Sequence, residues 1–329
     1  MKFALIVCTY MRPQPLMRLL HSVRSQTLLP SQVIIVDGSL NDDSLNELKS
    51  FSFNGLEYFK VGNEDRGLTK QRNFGIDRVS EDIDIVAFLD DDVVLDNQYF
   101  KQLASTYQEY PNALGVGGYI TNEVAWQLQN ENSNATDFYN FDGYVRKESS
   151  RYKLRKKLGL DHHTQPGTYP PFGHGRSIGF LPPSGKTYKV DLFMGGVASY
   201  PKQIVDAHKF STFFEGYGLY EDAEYTLRLS NEGSLYVNTL ATCQHFHAPD
   251  GRPNHYKYGK MVVRNGWFVW RTKYPNPSFK NKLKWHSITL ILILIRILNI
   301  FTTSNRKEAF TESLGRIVSW VNLFFSRPK

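Results

Sequence analysis

The chain has 329 residues, 41% hydrophobic and 14% aromatic, which is enough for a sizeable core in one large domain or two ordinary ones and excludes a disordered or fibrous protein. A net charge of +7 and an isoelectric point near 9.1 point to an anionic membrane surface, a phosphorylated substrate or a nucleic acid. With only two cysteines, Cys8 and Cys243, no disulfide framework is indicated and a reducing cytoplasm is expected.

The opening Met1-Lys2-Phe3-Ala4-Leu5-Ile6-Val7-Cys8 is too short for the apolar core of a secretion signal and meets Arg12-Pro13 at once, so it reads as a first buried strand. Short β-branched runs then alternate with longer amphipathic stretches. Strands are expected over 3–8, 33–36, 56–61 and 83–89, and helices over 15–26, 43–51 and 70–79. This is the rhythm of a mostly parallel sheet covered by helices. Such sheets bind ligands beyond the C-terminal ends of their strands. The loops at Thr9-Tyr10, Asp37-Gly38-Ser39, Gly62-Asn63 and Asp90-Asp91-Asp92 should therefore converge on one crevice.

The run Ile85-Val86-Ala87-Phe88-Leu89 delivers three consecutive aspartates, Asp90 to Asp92, from what reads as a buried strand. Burying such charges is expensive unless a cation offsets them. The pattern fits oxygen ligands for a hard divalent metal, Mg²⁺ or Mn²⁺; a solvated acidic turn is the plainer reading.

Over 119–189 regular patterning fades into Asn, Gly, Pro, His and aromatic residues, as expected of a lid or an acceptor-binding insertion. Basic residues gather here (Arg146, Lys147, Arg151, Lys153, Arg155, Lys156, Lys157) and again at Lys273, Lys280, Lys282 and Lys284. Order returns over 190–200, which carries Gly195-Gly196, in a helix over 220–231 opened by Glu221-Asp222, and in a strand over 235–246. Acids in a first helical turn suit the dipole, and a carboxylate held there above a crevice equally suits a general base. The apolar stretch 288–301, about 21 Å long as a helix and interrupted by Arg296, reads as surface-lying or re-entrant at a membrane, flanked by Trp285 and lysines; an ordinary buried core helix is the alternative.

Three further patterns are weaker. Ser184-Gly185-Lys186-Thr187 ends like a phosphate-binding loop, but Phe180 stands where its first glycine belongs. Gly115-Val116-Gly117 lacks the third glycine of a dinucleotide fingerprint, Ile120 standing in its place. Cys243, His245 and His247 alternate along one strand as part of a zinc site would, without a fourth ligand at suitable spacing.

Together, Cys8-Thr9-Tyr10-Met11-Arg12, Val36-Asp37-Gly38-Ser39, Gly67-Leu68-Thr69-Lys70-Gln71-Arg72-Asn73, the triple aspartate, Gly195-Gly196 and Glu221-Asp222 resemble, in order and spacing, the family 2 glycosyltransferases of GT-A fold. The resemblance covers about residues 1–250 and implies a Rossmann-like mixed sheet flanked by helices. It implies a catalytic domain over 1–255, with the insertion near 119–189 on the acceptor side, and a basic, aromatic, membrane-associating helical extension over 256–329. That extension is similar to those of bacterial members at the inner face of the membrane. The implied activity is metal-dependent, inverting transfer of a hexosyl or deoxyhexosyl group from a nucleotide sugar to a glycan or lipid-linked acceptor in cell-surface polysaccharide assembly, with no nucleic acid as partner. Carried onto this chain, Asp37 would bond the nucleobase, with Thr9 and Arg12 lining that pocket and Arg72 near the base or diphosphate. Asp90 and Asp91 would face the ribose and sugar, and Asp92 would ligate Mg²⁺ or Mn²⁺ with His245 or, equally, His247. Asp222 would be the base, with Glu221 beside it and Gly195 and Gly196 on the acceptor side. The first rival reading is a non-catalytic nucleotide-sugar-binding or scaffold protein of the same fold; the second is a nucleic-acid enzyme using the aspartates for two-metal catalysis, which the basic isoelectric point encourages and for which no nucleic-acid-binding motif is present.

Overall fold

The computed structural model describes residues 1–129, 137–214, 217–246, 254–326 and 328. In chain order its elements are β1 (Phe3–Thr9), α1 (Pro13–Arg24), β2 (Gln32–Asp37), α2 (Asp43–Leu48), β3 (Leu56–Lys60), α3 (Leu68–Ile76), β4 (Ile85–Asp90), β5 (Val93–Leu95), α4 (Tyr99–Glu109), β6 (Ala113–Ile120), β7 (Gln127–Leu128), β8 (Phe138–Phe141), β9 (Tyr144–Lys147), α5 (Ser150–Lys157), β10 (Thr187–Val190), β11 (Val197–Pro201), α6 (Lys202–Ala207), α7 (Glu221–Leu229), β12 (Ser234–His245), α8 (His255–Lys273), α9 (Phe279–Thr302) and α10 (Arg306–Asn322). They divide into two compact units: Met1–Ala125 with Leu181–Gly251, and Trp126–Phe180 with Arg252–Lys329.

The first unit is a mixed α/β layer structure. Among the described residues its sheet has nine strands, ordered β10-β12-β6-β11-β4-β1-β2-β3, with β5 paired to β12. The strands β4, β1, β2 and β3 run parallel, and β11 enters antiparallel between β4 and β6. Strands covered on both faces should be apolar throughout. Accordingly β2 is buried at all six positions and β1 at all but one. Pro13 opens α1, where a missing N–H leaves no bond unmade, and Leu16, Leu19, Leu20 and Val23 recur on the helical period to face this core. Register places the site: Cys8 pairs with Asp90 and Thr9 with Asp37, so three polar strand ends lie side by side.

The second unit contains what the sequence presents as irregular. Residues 126–180 form a small antiparallel sheet, β7-β9-β8, and the helix α5. Strands of two and four residues are too short to show a period of two. Buried charges hold this segment instead: Arg176 donates to both oxygens of Glu148 at 3.1 and 3.0 Å and to Asp161 at 2.7 Å. In the C-terminal segment, α8 and α10 cross backbone to backbone, because a Cβ on Gly259 would meet the Glu312 carbonyl oxygen at 2.2 Å. Trp267, Trp270 and Trp285 form the core, the last two stacked with ring centres 5.5 Å apart.

Two boundaries depart from the sequence reading. The ordered stretch expected over 190–200 holds the end of β10 at Val190 and then β11, separated by a loop in which Gly195 and Gly196 approach the site. The helix expected over 288–301 is α9, with 24 residues from Phe279. Its start is set by Ser278, whose side chain accepts the Asn281 N–H, a cap that outweighs the polar look of Lys280 to Lys284.

Candidate active site

The triple aspartate closes β4 and turns into β5. Asp91 and Asp92 are 4% and 6% exposed, so the turn is not a solvated one. Each carboxylate takes a different set of partners. Asp91 accepts the Thr9 hydroxyl at 2.7 Å and an Arg12 N–H at 3.2 Å, and burial pushes its carboxyl up to about 7 against those two contacts. Asp92 lies 3.2 Å from the same Arg12 nitrogen and 3.0 Å from His245 Nε2. Asp90 faces Arg72 at 3.6 Å, and burial raises its carboxyl despite that cation.

The end of β12, paired antiparallel with β5, brings His245 opposite Val93 and so beside Asp92. Its other ring nitrogen lies 2.9 Å from Glu123. Burial disfavours the charged ring, but hydrogen bonds to Asp92 and Glu123 outweigh it and raise His245 to about 10. Asp90, Asp92 and His245 offer ligand atoms all within 4.8 Å of one another. Two carboxylates and an imidazole suit Mn²⁺ or Mg²⁺ by donor type, with Glu123 orienting the ring. Cys243 packs in the apolar core and is not part of this group, and His247 lies outside the described residues.

Opposite stands the start of α7. Tyr220 before it adopts a left-handed φ of 71°, unusual for a bulky residue, and this turn presents Glu221 and Asp222. Asp222 accepts the N–H of Gly195 at 3.2 Å and that of Ala223 at 2.7 Å. Glu221 is buried, 2.7 Å from Arg72, and burial carries its carboxyl up to about 8 against the pull of that arginine. A Cβ on Gly196 would lie 2.2 Å from Asp90 Oδ2, and one on Gly195 2.9 Å from Glu221 Oε1. The glycine pair thus lets the backbone pass between the carboxylates.

Of these residues, Arg72, Asp90, Gly195, Gly196, Glu221, Asp222 and His245 line one crevice of about 180 Å³, together with Leu68, Val93, Ile120 and Met194. The other expected residues are outside that lining. Asp37 is fully buried, its oxygens accepting the Ser39 N–H at 2.7 Å and the Tyr58 hydroxyl at 2.8 Å. Thr9 and Arg12 hold Asp91 and Asp92, while Gln71 ties the Thr9 and Val36 carbonyls together. Sequence reasoning missed Glu123 and Tyr58, for which no local motif exists. The two near-matches are structural: Thr187 starts β10, and Gly115 and Gly117 lie within β6, where a Cβ would strike Tyr200 and Phe193.

Comparison with known proteins agrees with this architecture. A glucosyl-dolichyl phosphate glucuronosyltransferase of Haloferax volcanii is 30% identical over 125 residues, 36% of this chain, and the chain spans only 38% of that relative's length. Mannosyltransferase PcManGT from Pyrobaculum calidifontis, in complex with GDP-Man and Mn²⁺, shares the fold with a TM-score of 0.53 at 11% identity, over 98% of this chain and 87% of its own. GalNAc-T7 with UDP, GalNAc and Mn²⁺ gives a TM-score of 0.51 at 14% identity, over 82% of this chain and 49% of its own. The fold is thus the GT-A mixed sheet flanked by helices. The family model described as glycosyl transferase family 2 matches residues 4–172, just over half of the chain, and the chain belongs to that family.

Proposed function

We propose that this chain is an inverting, metal-dependent glycosyltransferase that moves a hexosyl or deoxyhexosyl group from a nucleotide-diphosphate sugar to a glycan or lipid-linked acceptor in cell-surface polysaccharide assembly. The carrying observation is that one crevice is lined both by Asp90 and His245, which with Asp92 could hold a metal ion, and by Asp222, a carboxylate fixed by a backbone N–H. The printed ligands of the two fold relatives, GDP-Man and UDP with Mn²⁺, support the donor class and the metal. The name of the Haloferax relative supports a lipid-linked acceptor. In this reading residues 1–255 are the catalytic part, with 119–189 on the acceptor side, and 256–329 associate with the inner face of the cell membrane.

Mg²⁺ or Mn²⁺, held by Asp92 and His245 with Asp90 beside them, would neutralise charge developing on the departing diphosphate. The chain's own groups do the rest. Arg72 adds a fixed cation beside Asp90, and Asp222 accepts the proton of the attacking hydroxyl. A single base suffices for in-line attack and inversion, whereas a retaining hydrolase needs two carboxylates flanking the bond. Glu221, engaged with Arg72, holds the floor of the crevice. Thr9, Arg12 and Asp37 shape the nucleotide side, through Asp91, Asp92 and Tyr58.

The test is a thermal-shift screen with UDP-, GDP- and dTDP-sugars, each with and without Mn²⁺ or Mg²⁺, followed by a transfer assay. A metal-dependent rise with one nucleotide class, followed by turnover, supports the reading. Binding without turnover on any acceptor would make the protein a nucleotide-sugar-binding scaffold instead.

A further inference from the structure

Residues 251–329 carry fifteen Lys and Arg against two acids, with no acid at all between 251 and 307. The whole chain is only +7, so the preceding 250 residues are net acidic and the positive charge belongs to the C-terminal segment. Both acids there are already engaged. Glu312 is buried and lies 2.7 Å from Arg296 and 2.6 Å from Arg316, and Glu308 is 3.5 Å from His255.

Within this basic segment α9 has two unlike faces. Trp285, Ile288 and Ile293 are buried, and Arg296 meets Glu312 of α10. Leu290, Leu294, Leu298 and Phe301, spaced four, four and three apart, form a stripe exposed by 40% to 76%. Soluble chains rarely leave such a stripe uncovered. Lys280, Lys282 and Lys284 precede it, and Arg306 and Lys307 follow.

We propose that α9 docks on an anionic phospholipid bilayer, lying in its plane with the Leu290 to Phe301 stripe among the acyl chains and the flanking Lys and Arg at the headgroups. The helix is long and apolar enough to cross a membrane, with a mean hydropathy of 1.7 over its best window. Crossing would pull Trp285 out of the tryptophan core and carry Arg296 and Glu312 into hydrocarbon. Lying in the plane leaves every one of those contacts in place. This inference deepens the membrane-associated reading above, naming the surface and its orientation.

The experiment is flotation of the full chain with vesicles of phosphatidylcholine alone or with about 30% phosphatidylglycerol, carrying tags at both termini. Binding should favour the anionic vesicles by about tenfold and weaken with added salt. Leu290→Glu with Leu294→Glu should lower it about tenfold or more at unchanged melting temperature, while Leu40→Glu, an exposed leucine outside the segment, should not. Both tags should stay open to protease. Equal binding to both vesicle types, unchanged binding of the double variant, or protection of one tag would each overturn the proposal. The nucleotide-dependent thermal shift of the free protein is read separately, so loss of flotation with that shift intact sinks only the docking, and the reverse pattern sinks only the transferase reading.

Discussion

Each unit buries an arginine between two acids over aromatic rings, and the two clusters differ in how completely they close. In the second unit Arg176 spends its donors on both oxygens of Glu148 and on Asp161, with Tyr139, Tyr152 and Phe180 stacked within 4.9 Å. In the first, Arg72 lies over Phe210 and Phe88 at 5.1 and 5.7 Å and 2.7 Å from Glu221. Yet among the described residues its Nη1 makes no well-aligned hydrogen bond, and Glu221 Oε2 finds no hydrogen-bond partner. A satisfied buried network rigidifies, and one with orphaned atoms keeps interaction capacity in reserve. The comparison separates a closed charge cluster that holds a fold from one that lines a crevice.

The sharpest test lies beside Arg72. Asp222→Asn should reduce turnover by about 10²–10⁴-fold while the nucleotide-induced thermal shift persists; a variant with normal turnover removes Asp222 from the role of base. Arg176→Met should come next, destabilising the fold by about 3–5 kcal/mol in denaturant titration because Glu148 and Asp161 lose their nearest cation and keep only Lys156 at 3.4 Å and Arg155 at 3.9 Å. Arg72→Met should invert that pattern, with turnover down about 10²-fold and a stability loss below half that of Arg176→Met. Glu221, already raised to about 8, can take a proton when its cation is gone. Equal stability losses would erase the distinction between the clusters.

The smallest effect concerns pH. His174, against Trp285 and Thr289, is held down to about 3 by burial and by the nearby Arg155. A histidine depressed in the fold contributes stability that is present above its ordinary value of 6.5 and lost as pH falls from there toward 3. Melting temperature should therefore decline over that window, and His174→Gln should flatten the decline.

Much of the first unit is legible in the sequence because its signals are local and repeated. Continuous apolar strands, helical spacing at Leu16 to Val23, and three carboxylates at a strand end each carry their own physical reason. The second unit is less so. Its strands are too short for periodicity, and residues 126–180 are held by an ionic cluster of Glu148, Asp161 and Arg176, whose attraction leaves no trace in composition. Within the site, the aspartates and Glu221-Asp222 stand out by type. The contacts of Tyr58 with Asp37 and of Glu123 with His245 depend on register between distant segments.

The length of β12 has a consequence for the order of assembly. Asp92 leaves the ribosome about 150 residues before His245, and β12 also supplies the pairing that joins β6, β10 and β5. A growing chain therefore holds three adjacent acids without their imidazole partner until the last strand of the sheet is made. Long-range pairing of this kind is slow to form, so the corner most suited to a cation is also the last to be built.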